Sequence, residues 1–267
     1  MKYVPDTGVP YPEDERPKLV LLENLFREWH QHFENNESAL VGQDAGAMVF
    51  DGFYPHYFRQ AKKLLFIGWE TVGMYDSNYI ESLHTIYRSE TKRVGNRHLD
   101  SHRFLYRVTC IAYGILNGFK AWAEIPNASE IGDTLGDANG LSFAFMNISK
   151  MSNETGSTKA DWPSMTAAIA LSTQPRNFLR EEVAILDPAI VITMNLRDEI
   201  VDVIGDYPCQ FLHRSDQARS YRITINGQNR LLIDTAHFSA RGRDDNTDFY
   251  VPICDEIIWS ESQNIEL

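Results

Sequence analysis

Four stretches of this chain place chemically capable side chains directly after apolar runs. "KKLLFIGWETVGMY" (62–75) stops its apolar segment at Gly68 and delivers Trp69, Glu70 and Thr71. "LSFAFMNISK" (141–150) delivers Asn147, Ser149 and Lys150, "AIVITMN" (189–195) delivers Asn195, and "LLIDTAHFSARGR" (231–243) delivers His237, Ser239, Arg241 and Arg243. A carboxylate and an imidazole are groups that move protons or meet developing charge. A primary amide offers a donor and an acceptor together. Polar groups gather at strand ends in general, so one such exit means little. Four of them delivering a carboxylate, an amide, an imidazole and hydroxyls point to a shared site.

That site exists only if the apolar runs are strands of one sheet. "KLLFIG" (63–68), the run at 142–147, the run at 189–194 and the run at 230–235 are short and continuous, as strands buried on both faces are. Helical spacing separates them. Leu19, Leu22, Phe26, Trp29 and Phe33 recur by three and four and predict a helix over 18–34. Phe104, Leu105, Val108, Ile111 and Ile115 predict a second. Further helices are expected over 174–188, 197–205 and 249–259, and a hairpin around Asn226-Gly227. The alternation predicts an α/β fold, three layers α/β/α with a mostly parallel central sheet. In such folds ligands bind beyond the carboxyl ends of the strands.

With 267 residues, 43% hydrophobic and 23% charged, the chain is long enough and apolar enough to bury a full core. No apolar run approaches the roughly 18 to 20 residues that span a bilayer. "MKYVPDTGVPYPEDERP" lacks the apolar core of a signal peptide. Cys110, Cys209 and Cys254 are far apart and form no CxxC pair. A cytoplasmic protein with buried thiols and no membrane contact is expected.

The net charge of −12 opposes non-specific coating of nucleic acid. The charge is uneven, however. "HTIYRSETKRVGNRHLDSHRFLYR" (84–107) and the segment 213–243 are basic islands in an acidic chain, and 244–267 carries acids and no base. Each island alone reads as a solvated face; both flanking one site would make a phosphate-facing patch. No GxGxxG or Walker sequence is present, so no cofactor is expected. His98 and His102 stand at i and i+4, a spacing that zinc ligands use on a helix. No HExxH accompanies them and their surroundings are basic, so no metal is expected. Asp234, His237 and Ser239 are triad types but too close along one strand to converge, and no G-x-S-x-G elbow exists.

In their order along the chain, "FIGWET", "FAFMNISKM", "VAILDPAIVITMN" and "LIDTAHFSAR" resemble the motifs of the uracil-DNA glycosylase superfamily, over roughly residues 50 to 260. The resemblance implies that family's α/β/α fold over 46–267, with 1–45 as a lead-in and helix packed on the core. It implies hydrolysis of the N-glycosidic bond of a damaged or deaminated base in DNA. Glu70 would handle the water and His237 would stabilise the leaving base. Asn147 would read the base edge, with Trp69, Tyr75 or Phe143 stacking on it and Ser239 nearby. Lys150, Arg241, Arg243 and the 88–107 island would hold phosphates of DNA. The chain departs from the family's pattern at Glu70 itself, where Asp or Asn is common, and at Thr71 and Phe238, where proline is usual. The iron–sulfur cysteine quartet of some branches is absent. These departures sustain a second expectation, a degenerate member that binds a nucleotide, nucleic acid or protein partner without chemistry.

Overall fold

The four apolar runs form the parallel heart of a seven-stranded sheet. The computed structural model describes residues 2–156, 159–196 and 201–263. Its strands are β1 (Gly52–Phe53), β2 (Leu64–Gly68), β3 (Arg93–Val94), β4 (Arg97–His98), β5 (Ala144–Asn147), β6 (Ile190–Met194), β7 (Gln210–Arg214), β8 (Ala218–Ile225) and β9 (Gln228–Thr235). The large sheet has the order β1-β5-β2-β6-β9-β8-β7, and β3-β4 is a separate hairpin. Strands β5, β2, β6 and β9 are parallel. The edges are antiparallel: β1 pairs with β5, and β8 joins β9 in the expected hairpin and pairs with β7. For β8 the reason is local. Asn226 and Gly227 take positive φ values of 53° and 71°, a two-residue turn that can only return the chain antiparallel.

Successive residues of the central strands face opposite sides. Leu64, Phe66, Ile192, Leu231 and Ile233 enter one buried cluster. Leu65, Ile67, Val191 and Leu232 enter the other. The first cluster is closed by helices α2 (Tyr79–Arg88), α3 (Arg103–Leu116), α4 (Ala128–Gly132) and α7 (Val251–Ser262). The second is closed by α1 (Arg16–Asn35) and α6 (Phe178–Leu186), with α5 (Trp162–Thr173) beside them. The result is an α/β protein with helices on both faces of its sheet. Among the described residues no helix is long and apolar enough to cross a membrane.

The helices differ in part from the sequence reading. Helices α2 and α5 are not among the expected helices; α5 mixes small and polar residues through its length, whereas α2 does present one buried face of Tyr79, Ile80, Leu83, His84 and Tyr87. The expected helix over 174–188 begins only at Phe178, after Asn177 caps it by accepting from Arg180 N. The helix expected over 197–205 falls partly on residues 197–200, which lie outside the described residues.

Helix α1 contributes to the second cluster itself. Leu22, Phe26, Trp29 and Phe33 are 0% exposed. Trp29 stacks on Phe178 of α6 at 5.4 Å, and its indole N–H donates to Ser172 Oγ of α5. The segment 1–45 therefore supplies core, not only cover. Trp29→Ala should lower stability by roughly 3–5 kcal/mol, the range for truncating a buried aromatic. Urea unfolding should remain a single transition; a separate early transition for α1 would show that the helix is an independent addition.

Candidate functional site

The chain passes from β2 to β5 on one side of the sheet, then crosses to β6 and continues to β9 on the other. Neighbouring strands β2 and β6 thus lead in opposite directions, which opens a crevice at their carboxyl ends. A cleft of about 630 Å³ lies at this edge. Glu70, Asn147 and His237, from the exits of β2, β5 and β9, all line it, together with Trp69, Ser239 and Arg241.

Glu70 leaves β2 after Gly68 and is half-buried. Its Oε1 accepts from Asn153 Nδ2 and from the backbone N of Asp161, both at 3.0 Å. Asp161 is the N-cap of α5. One carboxylate oxygen therefore ties down the loop that precedes this helix, and Oε2 makes no hydrogen bond within the described residues. Burial raises the Glu70 pKa; the two donated hydrogen bonds oppose that shift only in part.

Asn147 is 4% exposed, and its orientation is set from behind. Its backbone N donates to Asp51 Oδ2 at 2.7 Å and its Nδ2 to Asp51 Oδ1 at 3.3 Å. The amide lies against Gly68, where an added Cβ would come within 2.9 Å of Asn147 Oδ1. Glycine at the end of β2 is thus what lets this amide sit there.

His237 follows β9 in a tight turn closed by Ala240 N donating to His237 O. Ser239 N donates to His237 Nδ1 at 3.2 Å. A nitrogen that accepts carries no proton, so the neutral ring presents Nε2–H as its donor. Burial lowers the His237 pKa and keeps the ring neutral. Trp69 and Phe104 stand edge-on and tilted beside it, at 5.7 and 5.8 Å. Phe238, at the place where the resembling family has proline, is fully buried between Phe66 and Phe249 and anchors the turn by packing.

Four expected site residues lie elsewhere. Lys150 holds no phosphate: it is 0% exposed, 2.5 Å from Asp51 Oδ2 and 2.6 Å from Glu182 Oε2, under the rings of Trp29 and Phe26. Two buried carboxylates draw its ammonium inward. Phe143 is core, 1% exposed and edge-on to Tyr54 and Phe66, so it faces no ligand. Tyr75 is half exposed, its hydroxyl bonded to Asp44, outside the cleft lining. Arg243 bonds Gln217 and does not line the cleft either.

Other residues take their places. Arg97 from β4 and Arg103 from the start of α3 line the cleft with Arg241. All three are exposed, and none has an ion-pair partner among the described residues. They come from the two basic islands, which the fold brings together at this cleft. His98 lies on β4 and His102 caps α3 by accepting from Leu105 N, so the pair does not share a helix face. Among the described residues no group of three or more His, Cys, Asp or Glu could hold a metal. Asp51 and Glu182 carried no signal in the sequence. Their importance comes from Lys150, and Asp51 is 99 residues away from it.

Glu182 is fully buried and its pKa is pushed up to about 7 by that burial, with the Lys150 ammonium opposing the shift. The folded state therefore holds a proton that the unfolded chain releases near the ordinary glutamate value. Stability should fall as pH rises from about 4.5 to about 7 and then level off. Glu182→Gln should flatten that slope in urea titrations run across this window; an unchanged slope would remove Glu182 as its source. No family model and no curated protein matches this chain, so a functional reading rests on the cleft itself.

Proposed function

We propose that this protein is a uracil-DNA glycosylase-like enzyme that hydrolyses the N-glycosidic bond of a damaged or deaminated base in DNA. The observation that carries the reading is the convergence of Glu70, Asn147 and His237 on one cleft at the strand ends. A cleft of about 630 Å³ falls within the range of about 300–1,000 Å³ typical of small-ligand sites. Breaking the bond leaves positive charge on the sugar and negative charge on the departing base. Glu70 orients water and stabilises the cationic sugar through Oε2, while Nε2–H of neutral His237 donates to the base anion. Asn147, its amide fixed by Asp51, reads the base edge. Trp69 is the aromatic beside the base, and the unpaired Arg97, Arg103 and Arg241 meet flanking phosphates. The motif order that resembles the uracil-DNA glycosylase superfamily supports the same assignment.

A second reading is binding without chemistry. One observation favours it: Glu70 Oε1 is already committed to Asn153 and the start of α5, so half of this carboxylate is a structural cap.

Detection of abasic sites on single- and double-stranded oligonucleotides carrying uracil, hypoxanthine or other deaminated bases decides between them. Product on one of these substrates supports the enzyme; none at high protein concentration, with salt-dependent binding retained, leaves the binding protein. Where product forms, Glu70→Gln should cut turnover about 100-fold or more with little change in binding. His237→Ala should cost about 100-fold through the lost donor. Arg241→Ala should weaken binding and reduce its salt dependence instead. Because the Glu70 pKa is raised, its charge is lost at a higher pH than an ordinary carboxylate's. The acid limb of the pH–rate profile should lie above the usual carboxylate range and vanish in Glu70→Gln.

A further inference from the structure

Arg107 is the one long cation of the basic 84–107 island that faces inward from α3 into the core, and it is 1% exposed. Its Nε donates to Asp245 Oδ1 at 2.6 Å. Its Nη1 donates to Phe238 O at 2.7 Å and Ala240 O at 2.9 Å, and its Nη2 to Arg243 O at 3.2 Å. The guanidinium lies 4.1 Å over the Phe249 ring. Every one of these contacts falls on the segment that follows His237.

One contact is special in kind. Phe238 O belongs to the peptide unit whose N–H is that of Ser239. In a planar trans peptide the carbonyl and the N–H point in opposite directions. Anchoring the oxygen on a buried guanidinium therefore fixes where the N–H aims. That N–H donates to His237 Nδ1. The charged donor also polarises the peptide and strengthens the bond its N–H makes. A chain of contacts thus runs from Arg107 through peptide 238–239 to the imidazole.

We propose that Arg107 is a positioning residue that holds His237 in its Nε2–H tautomer and aims that donor into the cleft. The same fork, by gripping Ala240 O and Arg243 O, fixes the backbone on either side of Arg241, so the imidazole donor and the cleft arginine are set by one side chain. Its consequence for turnover rests on the reading of His237 as the donor to the leaving base; the tautomer itself does not.

The test is nitrogen NMR of the full chain labelled at histidine, observing the His237 ring, assigned by loss of its signals in His237→Gln. The native protein should show a single neutral tautomer protonated at Nε2. Arg107→Lys keeps a cation near Phe249 but replaces three spread nitrogens by one, so it cannot hold Phe238 O and Ala240 O while also reaching Asp245 and Arg243 O. In it the His237 signals should shift toward a mixture of tautomers while the other histidines stay unchanged. Asp245→Ala frees one edge of the guanidinium at a partly exposed position and should move the same signals less. It decides the matter if Arg107→Lys does not fold. A folded Arg107→Lys whose His237 remains wholly Nε2–H overturns the proposal, as does an unmoved ring in Asp245→Ala should the first variant not fold. With an active substrate in hand, Arg107→Lys should lose about tenfold in kcat with KM little changed, less than the loss on removing the donor outright. A shifted tautomer without any glycosylase activity would keep the positioning role and reject only the enzyme reading.

Discussion

Lys150 is an ammonium group with no access to water, and much of the site depends on how that is tolerated. A buried charge is costly unless paired and hydrogen-bonded. Asp51, just before β1, and Glu182, from α6, supply the two carboxylates, and Phe26 and Trp29 from α1 supply ring faces. Three distant segments must therefore meet at the exit of β5. Asp51 then has a second duty, because the same carboxylate accepts from the backbone and side chain of Asn147. The orientation of a cleft amide is thus tied to a buried ion cluster and, through it, to the N-terminal helix.

The other two cleft groups are held on a similar plan by different chemistry. Glu70 is fixed by the loop it caps, with one oxygen bonded and one left over. His237 is fixed by a turn whose peptide is gripped by Arg107 and whose Phe238 is sunk into the core. Each candidate reacting group thus keeps one face for the cleft and spends the other on the scaffold. This is what precise placement needs, since a side chain free at both ends samples many rotamers. The acidic total charge is compatible with an anionic ligand for the same local reason: most surface cations are paired with acids, while Arg97, Arg103 and Arg241 face the cleft unpaired among the described residues.

The strand exits were legible because continuous apolar runs closed by glycine or a polar residue have few other outcomes in a chain that alternates helix and strand. Glu70, Asn147 and His237 could be picked out from their place after such runs. Among the aromatic and basic candidates the sequence separated less well: Trp69 and Arg241 line the cleft, and Phe143, Tyr75, Lys150 and Arg243 do not. Phe143 precedes β5 at its amino end and Trp69 follows β2 at its carboxyl end, so the parallel pairing puts them at opposite edges of the sheet. Tyr75 lies a few residues past a strand, where a loop can lead anywhere. Lys150 looked like a cation beside a base-reading amide, and nothing local says that it points inward.

The sequence by itself determined the period of the central strands and of the main helices, the antiparallel return at Asn226-Gly227, and the delivery of polar groups to one edge of a sheet, because these depend on neighbours within a few residues. Tertiary structure alone decided the partners of Lys150, the clamp of Arg107 on the turn after His237 and the meeting of the two basic islands. Those outcomes depend on pairs far apart along the chain, 99 residues for Asp51 with Lys150 and 138 for Arg107 with Asp245. Charge and hydrogen-bonding groups find each other across such distances only after the apolar elements have packed, and no local pattern encodes which of them will meet.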